Sequence, residues 1–168
     1  MRCSRPIAWI ATAVGTTLAL PGGAAELDLL GPGDTVMVYA APDSIHFHPR
    51  DTHTKYSWAL GAEWQRPSRW LAGYSYFNNS FGQKSQYYYG GMWWPLGETD
   101  QRWYLKLTGG VLVGYEYPYE DQVPYNHNGV SPGIIPALGY KMNRYSVQLN
   151  LLGFSGVIIT FGYDLIRK

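Results

Sequence analysis

The chain has 168 residues, of which 46% are hydrophobic, 16% aromatic and only 15% charged, and its 13 Lys+Arg nearly balance 12 Asp+Glu. That length fits one domain, the near-neutral balance excludes a polybasic binder of nucleic acid, and the apolar and aromatic content excludes a disordered tail. The single cysteine, Cys3, excludes a disulfide framework and a thiolate zinc site.

Arg2 and Arg5 make a basic start, residues 7–20 form an uncharged, mostly apolar run, and Pro21, Gly22 and Gly23 break it. With the small residues Ala24 and Ala25 behind it, this pattern predicts a secretory signal peptide over residues 1–25. The run is shorter than the roughly 20 residues of a membrane-spanning helix. Residues 26–168 are then a single domain without cysteine, working outside the cytoplasm.

Beyond Ala25 the dominant period is two, not 3.6. Over residues 55–66 one register holds Tyr56, Trp58, Leu60, Ala62 and Trp64, and the other Ser57, Ala59, Gly61, Glu63 and Gln65. Over 102–116 the apolar register runs from Trp103 through Leu105, Leu107, Val111 and Val113 to Tyr115, opposite Lys106 and Thr108. Tyr145, Val147, Leu149 and Leu151 alternate with Ser146, Gln148 and Asn150, and Val157, Ile159, Phe161, Tyr163 and Leu165 with Thr160, Gly162 and Asp164. Strand side chains alternate between faces, so each of these strands has one apolar face and one polar or small face. Weaker strands over 35–48, 70–80, 85–96 and 133–142 bring the expected total to eight.

In the strongest strands aromatics flank an aliphatic band, as Tyr56 and Trp64 or Trp103 and Tyr115, which is the signature of bilayer-crossing strands. Lipid cannot satisfy unpaired backbone groups, so the sheet must close. The expected fold is all-β: an eight-stranded antiparallel transmembrane β-barrel of the outer membrane. Connections at 67–68, 97–101 and 143–144 are short, whereas 49–54, 81–84 and above all 117–132 fall at the other end, the arrangement of periplasmic turns and external loops. The chain departs from the usual aromatic finish by ending Leu165-Ile166-Arg167-Lys168.

On the predicted outer rim, His46, His48 and His53 cluster where the first strand ends, and Asn78, Asn79 and Ser80 end the third. Topology thus brings His48 and Ser80 to one rim. The order Ser44-Ile45-His46-Phe47-His48-Pro49-Arg50, then Trp70 through Tyr76-Phe77-Asn78-Asn79-Ser80-Phe81, then Trp93-Trp94-Pro95-Leu96, resembles the PagP family of lipid A palmitoyltransferases. The likeness continues through residues 107–114 and 132–140. It implies an eight-stranded barrel, a monomer, that moves a palmitoyl chain from a phospholipid donor to lipid A among outer-membrane lipids, with no cofactor and no metal. The family's rim His and its Asp-Ser pair fall by position on His48, Asn79 and Ser80, with Asn79 in place of the Asp. The amphipathic helix ahead of the family's barrel has no counterpart in the Gly/Pro-broken residues 26–35. On this reading His48 is the general base, Ser80 the acyl acceptor or an oxyanion donor, and Asn79 a second donor.

Glycines on or near the polar register, Gly61, Gly73, Gly110, Gly114, Gly139 and Gly162, either leave room for a chain or accommodate barrel curvature. Leu71, Leu112 and Ile135 supply apolar patches on that register, and Pro132 and Pro136 remove ladder donors near the rim. Two other readings fit the same residues. His46 and His48 with Asp51 or His53 form a rim metal site, or the barrel is a passive channel or structural protein whose Glu63, Lys106, Gln148, Asn150 and Asp164 plug the lumen.

Overall fold

A computed structural model describes residues 29–49, 51, 53–54, 56–98 and 101–168. The predicted signal peptide, residues 1–25, lies outside them.

Nine strands build eight antiparallel staves closed into a barrel. They are β1 (Thr35–Ala41), β2 (Ser44–His46), β3 (Ala59–Gln65), β4 (Trp70–Asn78), β5 (Lys84–Pro95), β6 (Trp103–Val113), β7 (Val130–Met142), β8 (Tyr145–Leu152) and β9 (Gly156–Arg167). Sequential staves pair, and β9 closes the ring by pairing with β1 and then with β2. The stave expected over 35–48 is therefore interrupted. Pro42 and Asp43 break it, and the Asp43 carboxylate accepts from the Ser44 amide at 2.8 Å and the Ser57 amide at 2.9 Å, which staples the break.

Alternation decides which side each residue faces. Glu63, Lys106, Gln148, Thr160 and Asp164 are buried in the lumen, while Leu60, Leu105, Leu107, Val147, Leu149 and Phe161 stand exposed on the outer wall. Trp70, Trp94, Trp103 and Tyr145 are exposed toward the short-turn end. Tyr115 departs from the expected aromatic belt. The ladder ends at Val113, Gly114 adopts φ +109°, and Tyr115 lies inside against the lumen's mouth.

The turns between β3 and β4, β5 and β6, and β7 and β8 lie at one end; the β2–β3, β4–β5, β6–β7 and β8–β9 connections lie at the other, the longest of them between β6 and β7. The two halves are filled differently. In the turn half, Glu63 and Lys106 form an ion pair at 2.9 Å, both buried, with Glu63 also accepting from Gln65 Nε2 at 2.7 Å and Tyr89 Oη at 3.0 Å. Asp164 is held by Lys141 at 3.0 Å and by Arg167. The glycines serve this filling. A Cβ on Gly61 would stand 2.2 Å from the Tyr39 ring, and one on Gly73 2.4 Å from the Tyr89 ring, so here tyrosines occupy the space rather than a chain.

Candidate functional site: a serine and a histidine over a lumenal cavity

At the loop end the lumen is open. A cavity of about 730 Å³ descends from the mouth. Phe77, Leu112, Ile135 and Ile158 give it apolar walls, and Tyr39, Tyr89 and Lys106 close its floor, where the two tyrosine hydroxyls meet at 3.1 Å. Leu112 and Ile135 thus supply the apolar lining expected of them, whereas Leu71 is buried behind Tyr87 and Tyr89.

Two segments meet over this cavity. β2 resumes the first stave against β9, with His46 opposite Gly156. That approach needs a glycine, because a Cβ there would stand 2.2 Å from the Ile45 carbonyl oxygen. Alternation points Ile45 outward and His46 inward. On β4 the ladder ends at Asn78, and Asn79 builds the hairpin that follows: its Oδ1 accepts from the amides of Phe81 and Gln83, both at 3.0 Å, and its own amide donates to the Gln83 carbonyl at 2.9 Å. Ser80 sits on that turn, and its carbonyl accepts from the Thr54 amide at 2.7 Å.

The result is a hydrogen bond of 2.6 Å between His46 Nε2 and Ser80 Oγ. The His53 ring lies 4.2 Å from that of His46 and meets Phe81 edge-on, and Phe81 stacks on Tyr119 at 4.3 Å. An aromatic ladder therefore joins the first three loops over the mouth. Tyr115 borders the same cavity, where burial pushes its phenol up to about 12.

Of the expected residues, Ser80 and His48 both line the cavity, but the imidazole bonded to Ser80 is that of His46; His48 is exposed beyond the end of β2. The two histidines share a register, so alternation alone does not choose between them. What chooses is depth: His46 is the last residue that β9 pairs. Asn79 is almost fully buried, and its amide nitrogen points away to Ser85 Oγ at 3.1 Å and Gln83 Oε1 at 3.3 Å. Among the described residues no three His, Cys, Asp or Glu come together as a metal-ligand set.

The staves part at two places near the mouth. β7 pairs with β8 only over Ala137–Met142, so its stretch from Val130 to Pro136, with Pro132 in it, is held by β6 alone. β2 pairs with β9 and not with β3. What the fold and the site define is a closed antiparallel barrel with a Ser–His pair at the mouth of a largely apolar cavity. No protein-family model matches the chain, and no curated protein is significantly similar to it.

Proposed function

We propose that this protein is an outer-membrane acyltransferase that moves a long acyl chain from a phospholipid to lipid A, with Ser80 and His46 as the reacting pair. The observation that carries the reading is the 2.6 Å contact of His46 Nε2 with Ser80 Oγ above an apolar-walled cavity of about 730 Å³. A nucleophile and base within hydrogen-bond reach, next to a pocket for the acyl tail, is the minimum that acyl transfer requires. The exposed aliphatic wall fits hydrocarbon, and the partings beside β7 and β2 suit lateral entry of a lipid whose tail need never cross water.

The chemistry runs in two balanced steps. His46 Nε2 takes the Ser80 proton as Ser80 Oγ attacks the donor ester carbonyl. The tetrahedral intermediate collapses to acyl-Ser80, and the lysophospholipid leaves with the proton returned by His46. A lipid A hydroxyl or amine then gives its proton to His46 as it attacks the acyl-serine, and His46 returns that proton to Ser80 Oγ as the ester breaks, which regenerates Ser80. Asn79 acts as a positioning residue, because its side chain is spent on the hairpin that presents Ser80. His48, exposed at the same mouth, is placed to meet the acceptor's headgroup.

A channel reading has the turn half against it, since the Glu63–Lys106 pair and the tyrosines beside it obstruct the lumen. The test is purified protein in detergent with isotope-labelled phospholipid and lipid A, followed by mass spectrometry. The expected result is one labelled acyl chain added to lipid A by the wild type and none by Ser80→Ala. Lipid A of unchanged mass, or full labelling by the alanine variant, overturns the proposal.

A further inference from the structure

The cavity is not apolar all round. β8 and β9 stand across the ring from β4 and Ser80, and there Gln148, Asn150 and Thr160 line the cavity side by side. Asn150 Nδ2 donates to Thr160 Oγ1 at 3.1 Å and to the Ile158 carbonyl at 3.2 Å, which fixes the amide plane. Thr160 Oγ1 accepts in that bond, so its proton can serve a second partner. Gln148 is 1% exposed; among the described residues its Oε1 has no hydrogen-bond partner, and its Nε2 meets Met37 Sδ at 3.8 Å. A buried amide left so poorly paired is costly to the fold, and persists where something else uses it. On the β5–β7 wall the polar groups are engaged: Tyr87 Oη bonds Thr108 Oγ1 and the Gly133 carbonyl, and Thr108 bonds the Ile135 carbonyl, whereas Ser44 Oγ on β2 has no partner among the described residues.

We infer that the cavity is built for an acyl chain carrying a hydroxyl group near its middle, the hydroxyl bonding within the Gln148–Asn150–Thr160 patch. The depth fits. Asn150 and Gln148 lie two and four residues below Leu152 at the mouth, roughly 7 and 13 Å along the strand, so a chain whose carboxyl end is held near Ser80 meets them toward its middle. An unsubstituted chain would bury the same patch without pairing it. The inference rests on the acyl-transfer reading only for the direction in which the chain enters.

The experiment compares palmitic acid with 9-hydroxypalmitic acid by native mass spectrometry, using the full chain in a sterol-based detergent that carries no alkyl tail. The wild type is expected to bind the hydroxy acid about tenfold tighter. Thr160→Val, which keeps the shape and removes the hydroxyl, is expected to lose most of that preference, and Thr160→Val with Asn150→Leu all of it, while both still bind palmitic acid. Equal affinities in the wild type, or a preference that survives Thr160→Val undiminished, overturns the inference. The transfer assay keeps the two proposals apart. Preferential binding with no acyl group reaching lipid A from either donor supports the hydroxyl patch and sinks the transfer reading. Transfer of palmitoyl and hydroxypalmitoyl at one rate, with equal binding, does the reverse.

Discussion

The two halves of this barrel solve the same geometric problem in opposite ways. Eight staves enclose a lumen that side chains can just fill. In the turn half they do fill it: Tyr39, Tyr89 and Tyr104 lie over Gly61, Gly73 and Gly139, and buried charges are matched, Glu63 with Lys106 and Asp164 with Lys141 and Arg167. In the loop half the inward residues are shorter or apolar, Ala59, Ser75, Leu112 and Ile135, and a cavity remains. Ladder pairing follows the same division, continuous round the turn half and interrupted beside β7 and β2 toward the mouth. Stability is concentrated in one half, so the other can keep open space and unpaired edges. The difference implies that mutations in the two halves fail in different ways.

The largest effect is expected at the mouth. On the proposed mechanism Ser80→Ala and His46→Ala should each lower acyl transfer about a thousandfold or more, because each removes one member of the proposed nucleophile–base pair. Neither should change the midpoint of urea unfolding appreciably. His48→Ala should keep most of the activity, measured as labelled lipid A per minute. A greater loss from His48→Ala than from His46→Ala would reverse their roles and leave the 2.6 Å contact a structural one.

In the turn half the expected damage is to the fold. Glu63→Ala strands the Lys106 ammonium, 6% exposed, and removes the acceptor of Tyr89 and Gln65. Breaking a buried pair in this way costs about 3–5 kcal/mol. Urea unfolding should shift by that amount, while protein that still folds transfers acyl chains at a rate near wild type. Equal loss of rate and stability would mean that the two halves are coupled and the division above is wrong.

Between these extremes stands Asn79, which belongs to the loop half by position and to the framework by its bonds. Asn79→Ala removes the acceptor of two backbone amides and should cost about 1–3 kcal/mol together with activity, since Ser80 rides on the same turn. Asn79→Asp keeps that acceptor and loses the donor to Ser85 Oγ and Gln83 Oε1. It is expected to unfold closer to wild type than the alanine variant, and circular dichroism melting of both variants orders them.

Much of this was readable from residues alone. The eight staves follow from strict alternation, and the burial of Glu63, Lys106 and Asp164 follows from it once the aromatic ends of the strongest strands turn the apolar face outward. Pairing between distant strands was not readable. The break at Pro42-Asp43 shows only once β9 is seen to leave β1 for β2, and the choice of His46 over His48 depends on where that pairing stops. Tyr115 misled for a related reason: its register is that of Trp103, but Gly114 ends the ladder before it. The lumenal glycines were ambiguous in sequence, since only packing tells a glycine covered by a neighbour's tyrosine from one that leaves a void.

Tyr115 also supplies the smallest expected effect, and one confined to the loop half. Burial raises its phenol from 10.0 to about 12, so the folded chain holds this proton over a range where the unfolded chain releases it. Below pH 10 both states are protonated and the residue's contribution is whole. As pH climbs from about 10 to about 12 the unfolded state gains by ionising, and stability falls through that window. Tyr115→Phe removes the ionisation and nearly preserves the shape. The wild type should therefore lose more stability than the phenylalanine variant between pH 10 and 12, read as the difference in their urea midpoints, and the two should run parallel below pH 9. Parallel curves through the alkaline window as well would place the Tyr115 hydroxyl in water, and with it the wall of the cavity that this residue is taken to form.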